Sequence, residues 1–191
     1  MINKVFKTSD FKIEVINNEN PDYEAHEMYR ELHHKCSGKI TRDKYTFEKQ
    51  FEMLRKGNAT LIGLKYKNNF IGMQYFFHFQ DTVVYASGVD DPYYTEKKFN
   101  IYHPILWFAQ VYFKKRGFRL LEYSQPCGYN KIQGFDDYLD EKQLNISYFK
   151  RGMGAKLTTL KRGIKFYDKH HFLHYIENFY TKVANTYDSK P

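Results

Sequence analysis

Apolar positions along this chain switch between a spacing of two and a spacing of three to four, and the switches divide it into elements. A short strand-like run at Phe11–Ile16 precedes the turn-rich NNENPD. Ala25, Met28, Tyr29 and Leu32 then recur at helical spacing and predict a first helix ending near Gly38. Phe47, Phe51 and Leu54 form a second stripe at i, i+4, i+7 behind Thr46, and KGN before Ala59 stops it. ATLIGLKYK and FIGMQYFFHFQ are β-rich runs that meet at Asn68 and Asn69, which predicts a hairpin with a two-residue turn. TVVYASGVD follows Gln80 and Asp81 and continues an antiparallel meander.

From Thr82 to Gln125 the order is strand, polar loop, the helix-patterned NIYHPILWFAQVYFKKRG, and a second apolar run, RLLEYSQ. Such a strand, crossover helix and strand unit builds its ligand site where the first strand ends, here the loop Gly88 to His103. The helix is expected over Asn100–Gly117, with Ile101, Ile105, Phe108 and Tyr112 on one face, Pro104 tolerated in the first turn and Gly117 as the stop. The predicted order is β, α, α, β, β, β, α, β. Beyond Gln125 the pattern weakens through PCGYNKIQGFDDYLDEKQ before the compact cluster NISYFKRGMGAKL. A further strand is expected at KLTTLKRGIKFY, and an amphipathic helix through Phe172, Tyr175, Ile176, Phe179 and Val183.

Composition narrows the class. With 191 residues, 42% of them apolar, the chain can bury one substantial core, so a single domain over 1–191 is expected. Aromatic residues reach 19%, with 18 Tyr and 17 Phe, so rings carrying polar handles should line the core and a substrate groove. No apolar run approaches the roughly 18 residues that span a bilayer, and MINKVFKTSDFKIEV lacks the apolar stretch of a secretory signal, so a cytoplasmic location is expected. Cys36 and Cys127 have no CxxC spacing, which speaks against a disulfide framework or a zinc knuckle. No histidine pair with a third ligand suggests a metal. The net charge of +8 favours phosphate-rich ligands, anionic lipid surfaces or RNA, while scattered Lys and Arg serve solubility equally well.

The element order, with a splayed strand pair around one crossover helix, is similar to the GNAT acyltransferase fold. That fold is mixed α+β, with a central, mostly antiparallel twisted sheet and helices on both faces. LHHKCSGKITR at 32–42, the run from Phe47 through Gly57 to ATLIG, YASGVD with NIYHPILW, and above all ISYFKRGMG at 146–154 resemble the FemAB-like branch. The resemblance covers most of the chain. It implies direct transfer of an aminoacyl or acyl group to an amine on a cell-envelope sugar or peptide precursor. Fem enzymes proper have two such domains and this chain has room for one, so a homodimer that rebuilds the missing half, or a smaller sugar acyltransferase, fits its length.

Acetyl-CoA users present a glycine-rich turn to the pyrophosphate at a helix N-terminus. Here no glycine lies between Gly88 and Gly117, and Asp90 and Asp91 would repel a pyrophosphate unless Lys97 and Lys98 compensate. No tightly bound cofactor is implied; the donor is either aminoacyl-tRNA or acyl-CoA.

Acyl transfer to an amine needs a neutral nucleophile, an oxyanion stabiliser and a proton route. The resemblance implies the stabiliser, Lys150 of the Phe149-Lys150 pair, with Arg151 beside it; an exposed lysine next to a packed Phe is the structural alternative. His103, near the start of the crossover helix, is kept neutral by the dipole and could take the amine proton, or simply pack the first turn beside Pro104. Asp90 and Asp91 could hold an ammonium, or form a turn before Pro92. Glu122, in a presumed central strand, either faces the site or needs a partner such as Arg42, and it shares a face with Ser124, with Gln125 and Asn100 near the cleft. His33, His34, Lys35, Lys39 and Arg42 form a basic cluster suited to an acceptor phosphate or carboxylate, or to a solvated helix end.

The readings that follow are an envelope-precursor acyltransferase, an acyl-CoA-dependent N-acetyltransferase acting on an amino-sugar nucleotide, and a non-catalytic RNA-binding or interaction module; peripheral membrane contact is compatible with each.

Overall fold

The computed structural model describes residues 9–124, 141–156, 158 and 164–188. They group into two compact units, one up to Ser124 and one from 125 onward, and each is described by itself.

The first unit carries a five-stranded sheet in the order β1 (Phe11–Ile16), β2 (Ala59–Tyr66), β3 (Asn69–Phe79), β4 (Thr82–Asp90) and β5 (Leu120–Glu122). Neighbours pair antiparallel except β4 and β5, which are parallel. Four helices join them: α1 (Tyr23–Ser37), α2 (Lys44–Arg55), α3 (Pro92–Glu96) and α4 (Tyr102–Lys115). The strand β3 shows why the sheet is covered twice. Met73, Tyr75 and Phe77 face the core formed with Ala25, Tyr29 and Leu32 of α1 and Phe47 and Leu54 of α2. The alternate residues meet α4: Gly72 abuts Ile101, Gln74 bonds the Tyr102 carbonyl, and Phe76 packs on Phe113 at 5.2 Å between centroids. Burial on both faces explains the near-continuous apolar runs of β2 and β3.

Local chemistry sets the boundaries. The Asp22 side chain accepts from the Ala25 N–H at 3.0 Å to start α1, and Gly38 stops it at φ 67°. Asp43 caps α2 by accepting from the Thr46 N–H, so the helix begins ahead of Thr46. Three expectations are corrected. The β2–β3 turn sits one residue earlier, at Lys67 and Asn68, whose φ values of 47° and 68° are those of a type I′ turn. The loop after β4 contains a helix, α3, capped by Asp91 and opened by Pro92. Glu122 lies on a short strand at the edge of the described sheet and is exposed, so it needs no buried partner.

In the second unit, α5 (Glu141–Gly152) carries the Phe149-Lys150-Arg151-Gly152 sequence in its last turn. It ends at Gly154, φ 88°, whose N–H bonds the Arg151 carbonyl at 2.9 Å. α6 (Lys169–Asp188) is capped by Asp168, which accepts from the His171 N–H, and Phe166 packs on Phe172 and Tyr175 of its first turns. Of the strand expected at 156–167, residues 157 and 159–163 lie outside the described residues and the rest are not in a strand; Gln125 also lies outside them. No described helix is long and apolar enough to cross a membrane.

Two predictions follow from the packing. A Cβ at Gly72 would stand 2.1 Å from Ile101 Cγ2 and 3.1 Å from the Val89 carbonyl oxygen. Gly72→Ala should therefore cost about 1–3 kcal/mol in denaturant unfolding, and that cost should shrink in an Ile101→Ala background, where Cγ2 is gone. His26, His33, His78 and His103 all have pKa values lowered by burial. The unfolded chain protonates them near pH 6.5 while the folded one resists, so their contribution is intact above that pH and is lost as pH falls toward the lowered folded values. The melting temperature should hold between pH 7 and 8 and drop from 6.5 to 5, and His26→Phe should flatten that drop.

Candidate active site

The ladder between β4 and β5 covers only Thr82 to Val84 against Leu120 to Glu122. Beyond it β4 runs on to Asp90 without β5. At the point of parting Ser124, at φ 57°, donates its hydroxyl to the Tyr85 carbonyl at 3.1 Å. On the other edge the β3 register jumps there, Tyr75 opposing Ser87 and Phe76 opposing Tyr85, so Ala86 is an extra residue. This bulge leaves Ala86 without a ladder partner at the mouth of the gap.

Hydroxyls gather around this bulge. The Tyr29 and Ser87 oxygens lie 2.5 Å apart. Gly88 has no side chain because one would meet the Tyr85 hydroxyl at 2.5 Å and the Tyr102 ring at 2.7 Å. Burial raises the Tyr85 and Tyr102 phenols well above the ordinary tyrosine range, and each is raised further by the other phenols nearby, Asp90 and Cys36. Both therefore stay protonated at neutral pH and can act as proton donors. Asp90 accepts from the Thr95 hydroxyl at 2.5 Å and from the Cys36 thiol at 3.3 Å.

Against Ala86 and Ser87 opens a cavity of about 290 Å³, lined also by Arg42, Thr46, Lys49, Gln50, Met53 and Phe77. It lies between α2 and the bulged stretch of β4. Gln50 is only 5% exposed, and its Oε1 has no hydrogen-bond partner.

The sequence-predicted residues fall into three places. Arg42, His33 and His34 gather around one ring: the Arg42 guanidinium is 4.7 Å from the Phe47 centroid, and the two imidazoles are at 5.4 and 5.6 Å. Burial, then Arg42, lowers the His33 pKa. Lys39 is exposed on the connection that follows. Asp90, Asp91, Asn100 and His103 line the loop after β4. Asp91 caps α3 and forms an ion pair with Lys35 at 2.7 Å, so the aspartate pair is balanced by Lys35 and Thr95 rather than by Lys97 and Lys98. Lys97 instead bonds the Tyr93 hydroxyl. His103 donates its Nδ1–H to the Asn100 carboxamide oxygen at 2.7 Å, and burial lowers its pKa, which keeps the ring neutral. Glu122 is exposed on β5, Ser124 is exposed two residues past its end at φ 57° rather than on the same strand face, and Arg42 is not the partner of Glu122. Lys150 and Arg151 belong to the second unit, where Lys150 is half-buried and the Arg151 guanidinium covers the Tyr148 ring at 4.7 Å. Among the described residues no group of three His, Cys, Asp or Glu side chains is arranged to hold a metal ion.

Sequence reasoning passed over Tyr29, Tyr85, Ser87, Gln50 and Tyr102. The signal was present in YASG: a phenol, two small residues and a glycine inside a strand otherwise made of valines mark a bulge and a close approach.

No protein-family profile matches the chain, and no curated protein does. Solved structures do match. An aminoglycoside acetyltransferase from an uncultured soil metagenomic sample, in complex with sisomicin, aligns with 84% of this chain and 96% of its own at TM-score 0.57 and 15% identity. The aminoglycoside acetyltransferase AAC(6')-Iy, in complex with a bisubstrate analogue built on CoA, aligns with 84% of this chain and 99% of its own at TM-score 0.57 and 10% identity. A ribosomal-protein-alanine N-acetyltransferase from Brucella melitensis biovar Abortus aligns over 82% and 99% at TM-score 0.54 and 10% identity. At such identities the likeness is one of fold, and the fold of this chain is that of the GNAT acyltransferases.

Proposed function

We propose that this protein is an N-acyltransferase that moves an acyl group from acyl-CoA to an amine at the gap between β4 and β5. The observation that carries this reading is the bulge at Tyr85 and Ala86, which sits where the strands part and has protonated phenols on one side and a cavity on the other. The solved structures similar to this chain include one bound to a CoA bisubstrate analogue, which supports the same donor. α4 has no side-chain cap, since Ile101 stands at its N-cap, and Pro104 has no N–H to leave orphaned, so the helix start suits an anionic group of the donor.

In this mechanism the thioester carbonyl accepts a hydrogen bond from the backbone amide of the bulge. The neutral amine attacks, an N–C bond forms, and the oxyanion is held by that amide. Collapse breaks the C–S bond while the Tyr85 phenol donates a hydrogen bond to the departing thiolate. The proton shed by the amine passes to a neutral base, a role His103 suits through its lowered pKa, and from there through water to the thiolate, which leaves as the free thiol.

A second reading, the FemAB-like transfer of an aminoacyl group from tRNA to an envelope precursor, is favoured by the glycine-free loop and by half-buried Lys150 in the Phe-Lys-Arg-Gly turn of α5. It assigns Lys150 to the oxyanion, so Lys150→Ala should abolish turnover under this reading and leave the CoA reaction intact.

Two measurements test the first reading. Millimolar acetyl-CoA should raise the melting temperature and release free thiol when an amine is present, and the absence of any shift overturns the donor assignment. Tyr85→Phe should lower kcat by about 10²-fold or more while leaving the acetyl-CoA melting shift in place.

A further inference from the structure

The walls of the cavity beside the bulge carry a charge signature that specifies the acceptor. Its polar side chains are Arg42, Thr46, Lys49, Gln50 and Ser87, and no carboxylate lines it. The two cations differ in state. Lys49 is already paired with Glu52 at 2.7 Å. Arg42 makes no ion pair among the described residues; its guanidinium carbon lies over the Phe47 ring, 4.7 Å from the centroid, which positions the fork without using its N–H donors. The acidic residues of the α2 segment are turned to other partners: Asp43 caps the helix, Glu48 accepts from the Tyr23 hydroxyl at 2.6 Å, and Glu52 binds Lys49 and Lys56.

Gln50 adds an independent mark of a ligand. A carboxamide oxygen in a residue only 5% exposed, on the cavity wall and lacking a hydrogen-bond partner, is an acceptor awaiting an N–H. The remaining wall is apolar, with Met53, Phe77 and Ala86, and Ala86 is the extra residue of the bulge itself. A molecule seated here therefore has an anion-binding corner at Arg42, an N–H acceptor at Gln50, and the proposed reacting centre at its floor. The volume of about 290 Å³ is enough to seat a molecule the size of an amino acid or a monosaccharide.

We propose that this cavity binds the acceptor, and that the acceptor is a small amine carrying a carboxylate or phosphate that docks on Arg42, with its amino group between Gln50 and Ala86. The proposal rests on the acyltransfer reading for what happens to the amine, and on the cavity alone for what binds. A polycationic amine such as sisomicin, which one structurally similar enzyme holds, would bring several ammonium groups against two cations and no carboxylate, and should be refused.

Binding and turnover are measured separately so that the two readings fail separately. Calorimetric titration without any acyl donor compares glucosamine 6-phosphate with glucosamine, L-serine with serinamide, and adds sisomicin. The anionic member of at least one pair should bind about 10- to 100-fold tighter than its neutral or cationic counterpart, and which pair responds tells phosphate from carboxylate. Arg42→Gln should erase that preference without weakening the neutral amine, Arg42→Lys should restore part of it, and Gln50→Leu should weaken charged and uncharged amines alike. Equal binding within both pairs, binding of sisomicin at least as tight, or an Arg42→Gln loss shared equally by neutral amines would overturn the proposal. Anionic preference with no thiol release from acetyl-CoA would uphold the site and remove the acyl-CoA reading instead.

Discussion

The structure depends on one interrupted ladder. A parallel strand pair that begins at Thr82 and Leu120 stops after Val84 and Glu122, and the Tyr85–Ser87 bulge of β4 follows directly on that stop. Buried backbone groups rarely go unpaired, so a strand that loses its neighbour must find partners elsewhere or expose its edge. Both solutions are used. Ser124, bent into the left-handed region, gives its hydroxyl to the Tyr85 carbonyl, while Ala86 is extruded as a bulge. Past Val84 the ladder to β5 ends, while β4 keeps its pairing to β3 as far as Asp90.

What holds the interruption open is packing on both faces of β3 and β4. On one face Tyr29 of α1 and Tyr75 of β3 are fully buried against each other, Tyr75 bonded to His26 Nδ1 at 2.9 Å and Tyr29 to Ser87. On the other face Gln74 bonds the first-turn carbonyl of α4, and Gly72 and Gly88 admit Ile101 and the Tyr102 ring at distances a side chain would forbid. The crossover helix is thereby fixed against the strand that parts from β5, and it cannot slide into the space that β5 leaves. Few alternatives to a glycine exist at these two positions, because the obstacle is a branched side chain at one and aromatic rings at the other.

Much of the fold was legible in the sequence, because it rests on periodicity. The stripe at Phe47, Phe51 and Leu54, the Gly38 stop and the alternation of β3 each express a local rule, and the observed elements follow them. The errors were also local. Lys67 displaced the turn by one residue because a lysine can occupy the left-handed region when Asn68 follows, and Asp91-Pro92 built a helix where a bare loop was expected. The candidate site was less legible. Charged residues attract attention in a sequence, and Glu122 did so, yet a three-residue edge strand left it in solvent. Phenols and a glutamine read as core-forming residues until long-range contacts bring Tyr29, Tyr85 and Tyr102 to one strand end. Arg42 was marked by its charge, but its setting over Phe47 and beside an α2 cavity depends on the connection between two helices, which no periodic pattern describes.

The contact between Lys35 and Asp91 has a wider meaning. It joins the last turn of α1 to the cap of α3, and so ties α1 to the segment that leads into α4. One end of this tether is half exposed to solvent, so its grip is tuned by dissolved ions rather than fixed by burial. Ionic strength thus acts on this link selectively: added salt weakens the attraction between Lys35 and Asp91 and leaves the apolar contacts between the sheet and its helices in place.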